Sequence, residues 1–280
     1  MKNNDEDIEI RALYENSELE QVRALEAKIW GEHDSIPTHQ TITAVKNGGL
    51  VLGAFSDGQL IAFQYSFPGF NGQTVYLCSH ILATLPEYRN KGIGEKLKYA
   101  QREAAYKLGY ELITWTYDPL ESINGYLNIG KLGGRCSSYI SNCYGEMEDL
   151  LNKGIPSDRF LVHWQTLAQE GPNSSIVCAE SDGCSNTINS WEVQEDGLVY
   201  PGAIEYNKIP NLSTELIYVA IPKNFREIRE TNHAAALSWR MQTRKIFTHL
   251  FQCGWEVTGY QKNNQPTIPV NFYVLTKREG

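Results

Sequence analysis

The chain has 280 residues, with 25 Lys+Arg against 33 Asp+Glu for a net charge of −8, and is 41% hydrophobic and 21% charged. That balance belongs to a globular chain able to bury a core, and the length suggests about two domains. The acidic excess argues against a general nucleic-acid binder, and no apolar run approaches the ~20 residues of a bilayer span, so neither nucleic acid nor membrane is an expected partner.

The N-terminus, MKNNDEDIEI, has no apolar signal-peptide core, and the expected compartment is the cytoplasm. IEIRAL (8–13) reads as a strand. Ser17 and Glu20 form a capping-box pattern ahead of Leu19, Val22, Leu25, Ile29 and Trp30, which recur at helical spacing and predict a helix over 18–30. Two apolar runs in 48–67 meet at Asp57-Gly58, a hairpin turn signal, and Asn71-Gly72 repeats the device before a long strand over 73–85. Leu97, Ala100, Ala104, Ala105 and Leu108 mark one face of a helix over 94–108, which Gly109 ends.

ELITWTY (111–117) is a strand, and 118–134 reads as a loop and a short helix closed by glycines. Strands follow over 135–146 and 158–167. The polar, turn-rich segment 169–190 is the expected linker, dividing a domain over 1–168 from an extension over 191–280. That extension reads as a strand (215–222), a long helix (230–252) ended by Gly254, and a final hairpin (255–261 and 271–277). The order helix, glycine, strand, loop, strand follows both Gly109 and Gly254, a weak internal echo. The cysteines, Cys78, Cys136, Cys143, Cys178, Cys184 and Cys253, show no CxxC pair and no metal-ligand spacing with histidine, so free thiols and no metal are expected.

The stretch PEYRNKGIGEKL (86–97) carries Gly92 and Gly94 at the opening of a helix. Residues 85–102 hold five basic and two acidic side chains, a local basic patch on an acidic chain. A strand ending in a glycine loop that opens a helix is an anion site, because unpaired N–H groups and the helix dipole favour phosphate. No GxxxxGK[ST] is present, and three antiparallel strands before the turn exclude a Rossmann unit.

The spacing Arg89-x-x-Gly92-x-Gly94, with this element order over residues 8–167, resembles the GNAT superfamily of N-acyltransferases. The stretches KLGG and YISNCYGEMEDLLNKGIPSDRF are similar to a bacterial branch of GNAT proteins with a C-terminal extension. The resemblance implies an α/β (α+β) fold, with a mixed, mostly antiparallel sheet and flanking helices, plus a C-terminal α/β extension that the echo makes a candidate partial repeat. It implies acetyl-CoA or another acyl-CoA as co-substrate, a small-molecule amine as acceptor, and splayed fourth and fifth strands holding the acyl group. Backbone groups of Leu82, Ala83 and Thr84 would hold the pantetheine arm, with an N–H near Leu82 polarising the thioester carbonyl. The loop Arg89, Asn90, Lys91, Gly92, Ile93, Gly94 and Glu95 would hold the pyrophosphate.

His80 is the candidate base, two residues before Leu82 on the same strand and therefore on the same face. The family's YEKLGF-like stretch corresponds to NIGKLGG, where Ile129 occupies the slot of the acid tyrosine. Tyr126 is the first substitute, with Tyr139 and Tyr144 as alternatives. Ser122 aligns with the family's helix-starting asparagine, and Asn124 and Asn128 lie close by. Arg240 and Arg244 share a helix face at i, i+4 and suit carboxylate recognition on an amino-acid acceptor or a succinyl donor. The extension is expected either to close over the acceptor or to make a homodimer contact. Two further readings stay open: a catalytically silent coenzyme A-binding module and a peptide N-acyltransferase.

Overall fold

The computed structural model describes residues 8–145, 154–167, 186–209 and 216–278. Two compact units emerge: Met1–Trp115 with Trp164–Ala168, and Thr116–His163 with Gln169–Gly280.

In the first unit β1 (Glu9–Ala12) leads into α1 (Asn16–Trp30), α2 (Thr38–Lys46), β2 (Leu50–Ser56), β3 (Gln59–Phe70), β4 (Val75–Thr84), α3 (Ile93–Lys107) and β5 (Leu112–Tyr117), whose last two residues belong to the second unit. Strands β1 to β4 pair antiparallel in chain order, and β5 joins β4 in parallel. The turn between β2 and β3 uses positive φ at Asp57 and Gly58, as the Asp-Gly signal predicts. LVLGAFS is apolar rather than alternating, and every residue of β2 is buried, since both faces of the strand are covered.

Helix α1 starts earlier than the Ser17 pattern predicts. The Glu18 carboxylate accepts from the backbone N–H groups of Tyr14 and Glu15, each at 3.1 Å, which draws the first turn back to Asn16. Helix α2 escapes the sequence reading because THQTITAVK is rich in β-branched residues, which lower helix propensity. Its end is tight: a Cβ on Gly49 would lie 2.7 Å from the Ala44 carbonyl oxygen and 2.8 Å from that of Ser66. Gly49→Ala is expected to destabilise the protein by roughly 1–3 kcal/mol, read as a lower urea midpoint at unchanged m-value.

In the second unit α4 (Ser122–Gly125) widens into π-helical turns over Tyr126–Lys131. There follow β6 (Arg135–Ile140), β7 (Arg159–Gln165, ending in the first unit), β8 (Asn189–Val193), β9 (Val199–Ile204), β10 (Ile217–Pro222), α5 (Phe225–Thr231), α6 (His233–Gln252), β11 (Trp255–Gln261) and β12 (Val270–Lys277). Strand β6 pairs with β7 and, through Cys136 and Val257, with β11. In turn β11 pairs with β12, and β12 with β10, all antiparallel. Strands β8 and β9 form a separate hairpin turned at Asp196-Gly197, where Gly197 takes positive φ.

The expected helix over 230–252 is α6, which starts at His233, while residues 230–231 close the separate short helix α5. The Asn232 side chain accepts from the Ala235 N–H at 3.0 Å and caps α6, and this local bond competes with continuing α5.

The chain passes between the compact units at Trp115/Thr116, at His163/Trp164 and, at the boundary expected from the sequence, at Ala168/Gln169. Segment 116–163 shares its core with 217–277: the Phe160 ring lies 4.7 Å from Phe247, 5.3 Å from Tyr273 and 5.6 Å from Phe251. Shared apolar burial thus groups 116–163 with the C-terminal residues. Of the expected linker, residues 169–185 lie outside the described residues, with Cys178 and Cys184. The end of that segment is structured, since Thr187 bridges to Tyr218 and β8 begins at Asn189. Cys78, Cys136, Cys143 and Cys253 are free thiols. No helix among the described residues is long and apolar enough to cross a membrane.

Candidate active site

Strand β4 carries the first feature of the site. Its register against β3 runs Thr84 with Ala62, Ala83 with Phe63, Leu82 with Gln64 and Ile81 with Tyr65, then jumps to Ser79 with Ser66. His80 is the extra residue of this β-bulge. A bulge puts two successive side chains on one side and breaks the period-2 alternation. The imidazole therefore lies beside Tyr65 and Phe67, at ring distances of 6.1 and 5.5 Å. Leu82 faces the other way, toward α3, where its Cδ2 would meet a Cβ on Gly94 at 3.2 Å. The expectation that His80 and Leu82 share a face is thus corrected, because the alternation rule holds only for a regular strand.

The His80 side of the sheet is an open cleft of about 590 Å³ between α2 and β3, lined by His39, Gln40, Thr43, Asn47, Tyr65 and Phe67 among others. No acidic, lysine or arginine side chain lines it. Although His80 is exposed at the sheet surface, partial desolvation beside Tyr65 and Phe67 lowers its pKa below the usual 6.5 and favours the neutral imidazole. Behind Tyr65, the buried Glu26 of α1 accepts the Ile36 N–H at 3.0 Å, which ties down the approach to α2, and burial raises its carboxyl pKa.

The second feature is where β4 and β5 part. They pair only at Leu77 with Ile113 and Cys78 with Thr114. Ser79–Thr84 run on along β3 with no β5 residue in register among the described pairs. At the end of β4, Arg89 Nε donates to the Thr84 carbonyl at 3.2 Å and fixes the loop to the strand. Asn90 and Gly92 take positive φ (63° and 76°), and nothing lies within 4 Å of a Cβ built on Gly92. Gly92 is the N-cap of α3, with no side-chain cap, so the first N–H groups of the helix face an open, basic surface carrying Arg89 and Lys91.

The second unit holds the remaining candidates. Tyr126 lines a polar cleft of about 310 Å³ with Lys223, Lys262 and Asn263, and Lys262 Nζ sits 3.5 Å from the Tyr126 ring. Asn124 is exposed on α4. Ser122 is buried, its hydroxyl 2.6 Å from the Tyr260 hydroxyl and 2.7 Å from Asn271 Nδ2. Ile129, in the acid slot, is buried. Tyr139 donates its hydroxyl to Asp158 at 2.7 Å, and burial drives its pKa well above the ordinary value, so it is held as an internal donor. The Tyr144 hydroxyl lies 2.8 Å from Thr116 Oγ1.

The expected role of the two arginines is revised by their partners. Arg240 is 1% exposed and forms a bidentate pair with Asp118. Arg244 pairs with Asp158 at 2.8 and 2.6 Å. Burial pushes the Asp158 carboxyl up, but the Arg244 bonds, the Asn142 N–H and the Tyr139 hydroxyl outweigh it and hold the group low. Both guanidinium groups bind carboxylates of the protein itself, which the i, i+4 pattern could not reveal.

A bulged fourth strand, a parallel fifth strand that leaves it after two pairs and a glycine-opened helix at its end define the GNAT acyltransferase fold. The model of the Acetyltransferase (GNAT) family matches residues 14–126. No curated protein matches the chain. Among solved structures, it is similar to an acetyltransferase of the GNAT family from Streptococcus pneumoniae (14% identity, 57% of this chain and 99% of that one, TM-score 0.47). It is also similar to Arabidopsis thaliana NAA60 in complex with a bisubstrate analogue (14%, 56% and 98%, TM-score 0.45) and to a mosquito arylalkylamine N-acetyltransferase like 5b (18%, 57% and 100%, TM-score 0.44).

Proposed function

We propose that this chain transfers an acyl group from acyl-CoA to the amine of a small molecule held in the cleft between α2 and β3, with His80 as the base. The observation that carries this reading is the bulge, which turns His80 out of the β4 alternation and toward Tyr65 and Phe67. In the reaction the amine nitrogen attacks the thioester carbonyl carbon, a C–N bond forms, the C–S bond breaks, and the amine proton passes to His80. The coenzyme A thiolate leaves and is protonated.

The residues fit acyl-CoA. Leu82, Ala83 and Thr84 have an edge of β4 with no β5 residue in register, suited to the amides of a pantetheine arm. The loop from Arg89 through Asn90, Lys91, Gly92, Ile93 and Gly94 to Glu95 would take the pyrophosphate, with space at Gly92 for close backbone approach. The cleft contains aromatic walls and no ion-pair partner for a carboxylate, which favours an amine with an apolar or aromatic body over a free amino acid.

One observation favours a second reading, a coenzyme A-binding module without catalysis: the slot of the acid tyrosine is filled by the buried Ile129. A thiol-release assay with acetyl-CoA and succinyl-CoA against 2-phenylethylamine, an amino acid and a short peptide separates these. Turnover with the aromatic amine supports the transferase. Tight acyl-CoA binding without thiol release from any amine supports the module.

Gly92→Ala is expected to raise the KM for acyl-CoA about tenfold while kcat holds. A residue with a Cβ resists the positive φ at a cost of about 1–2 kcal/mol, and the penalty falls on ligand binding. Steady-state kinetics with acyl-CoA varied gives the answer.

A further inference from the structure

Lys98 lies in the second turn of α3 and is 3% exposed. Its Nζ donates to Ser79 Oγ at 2.7 Å and sits 3.6 Å from the centre of the Trp115 ring. Ser79 is the first residue of β4 beyond the last β4–β5 pair, and Trp115 is the first of β5. The amine therefore spans the point where the strands part, and Ser79 directly precedes the bulge residue His80.

Around it are buried, uncharged polar groups. Ser79 Oγ also donates to Gln101 Oε1 at 3.3 Å, and Gln101 Nε2 donates to Ser66 Oγ at 2.7 Å. Gln64 Oε1 and Trp115 Nε1 are buried with no hydrogen-bond partner. No carboxylate pairs with Lys98 among the described residues. Its place toward the N-terminal, positive end of α3 gives no compensation from the helix dipole. A buried cation without a counter-ion is unfavourable, and a methionine would fill such a slot at no charge penalty.

We propose that Lys98 is an electrostatic positioning residue for acyl transfer, holding a positive charge against Ser79 beneath the bulge of β4 so that negative charge developing on the thioester meets a cation. This rests on the acyl-transfer reading above. A preorganised charge in a dry site acts most strongly on charge that appears only in the transition state. Lys98 therefore affects kcat rather than substrate affinity.

The groups around Lys98 are Cys78 and Ser79 on β4, Trp115 on β5, Gln64 on β3 through Ser79, Gln101 on its own helix and Ser66 on β3 through Gln101. Cys78 alone among these titrates, and burial pushes its thiol up. Burial lowers the Lys98 pKa from 10.5 to about 7, partly opposed by Cys78. The charge is thus present below about pH 7 and lost as pH rises through it.

The test is kcat and KM from pH 5.5 to 9, with thermal melting, for wild type, Lys98→Met and Lys98→Arg. Lys98→Met is expected to lower kcat at least tenfold at pH 6.5 and to leave the KM for acyl-CoA within about twofold, with an unchanged or higher Tm. It also loses the fall in kcat above about pH 7. Lys98→Arg, charged at every pH tested, recovers part of kcat and lacks that fall. Wild-type kcat with a wild-type pH profile in Lys98→Met overturns the proposal. So does a kcat loss that only follows a lower Tm, with the fall above pH 7 intact. A wild-type enzyme that releases no thiol overturns the acyl-transfer reading as well, whereas normal turnover by both proteins overturns only the role of Lys98.

Discussion

Replacing His80 by alanine is expected to lower kcat for acyl transfer at least about 100-fold, the scale of a lost general base, while acyl-CoA binding holds. The bulge leaves His80 out of the register with β3, so alanine there removes the ring contacts with Tyr65 and Phe67 but no backbone pairing. The pH profile carries a second, independent sign. A base works in its neutral form, and the His80 pKa lies below 6.5 because its neighbours partly desolvate the ring. Wild-type kcat/KM therefore rises with pH through that depressed value, on the acid side of 6.5, and His80→Ala loses this ascending limb. Thiol release measured from pH 5 upward tests both statements. Near-wild-type turnover in His80→Ala would remove the residue from the mechanism.

Breaking the Arg240–Asp118 pair from one side is expected to destabilise the second unit by roughly 3–5 kcal/mol, because the remaining charge is left buried and unpaired. Arg240 has a 2% exposed side chain, and Asp118 a 12% exposed one that also lies 3.8 Å from Arg159. Arg240→Ala and Asp118→Ala should each lower the urea midpoint sharply. Arg240→Met combined with Asp118→Leu should recover much of the loss, since an apolar pair of similar volume avoids both desolvation penalties. Where the single variants remain folded, their relative activity on carboxylate and amide acceptors should match wild type. Wild-type stability in Arg240→Ala with selective loss of carboxylate acceptors would return Arg240 to substrate recognition.

Much of the first unit is legible from local rules. Asp57-Gly58 announces its hairpin because the turn needs positive φ at both residues. The α3 stripe and Gly109 mark that helix, and Arg89-x-x-Gly92-x-Gly94 marks the loop, because short-range backbone demands leave short-range residue patterns. Helix α2 leaves none: its β-branched sequence acquires helical form by packing on β2 and β3. Asn232 is the reverse case, a cap written in the sequence but hidden inside an otherwise continuous helical pattern.

Residue types and their neighbours along the chain determine the helices, hairpins and glycine loop, since these form through contacts within a few positions. Three features depend on long-range pairing. The bulge at His80 exists only as a register shift against β3. The charges of Arg240 and Arg244 find their partners 122 and 86 positions away, at Asp118 and Asp158. Lys98 reads as a surface lysine until Ser79 and Trp115 close around its amine. Each of these reverses a local reading because burial and hydrogen-bond satisfaction are properties of the packed chain, and they decide which charges and bases face a substrate.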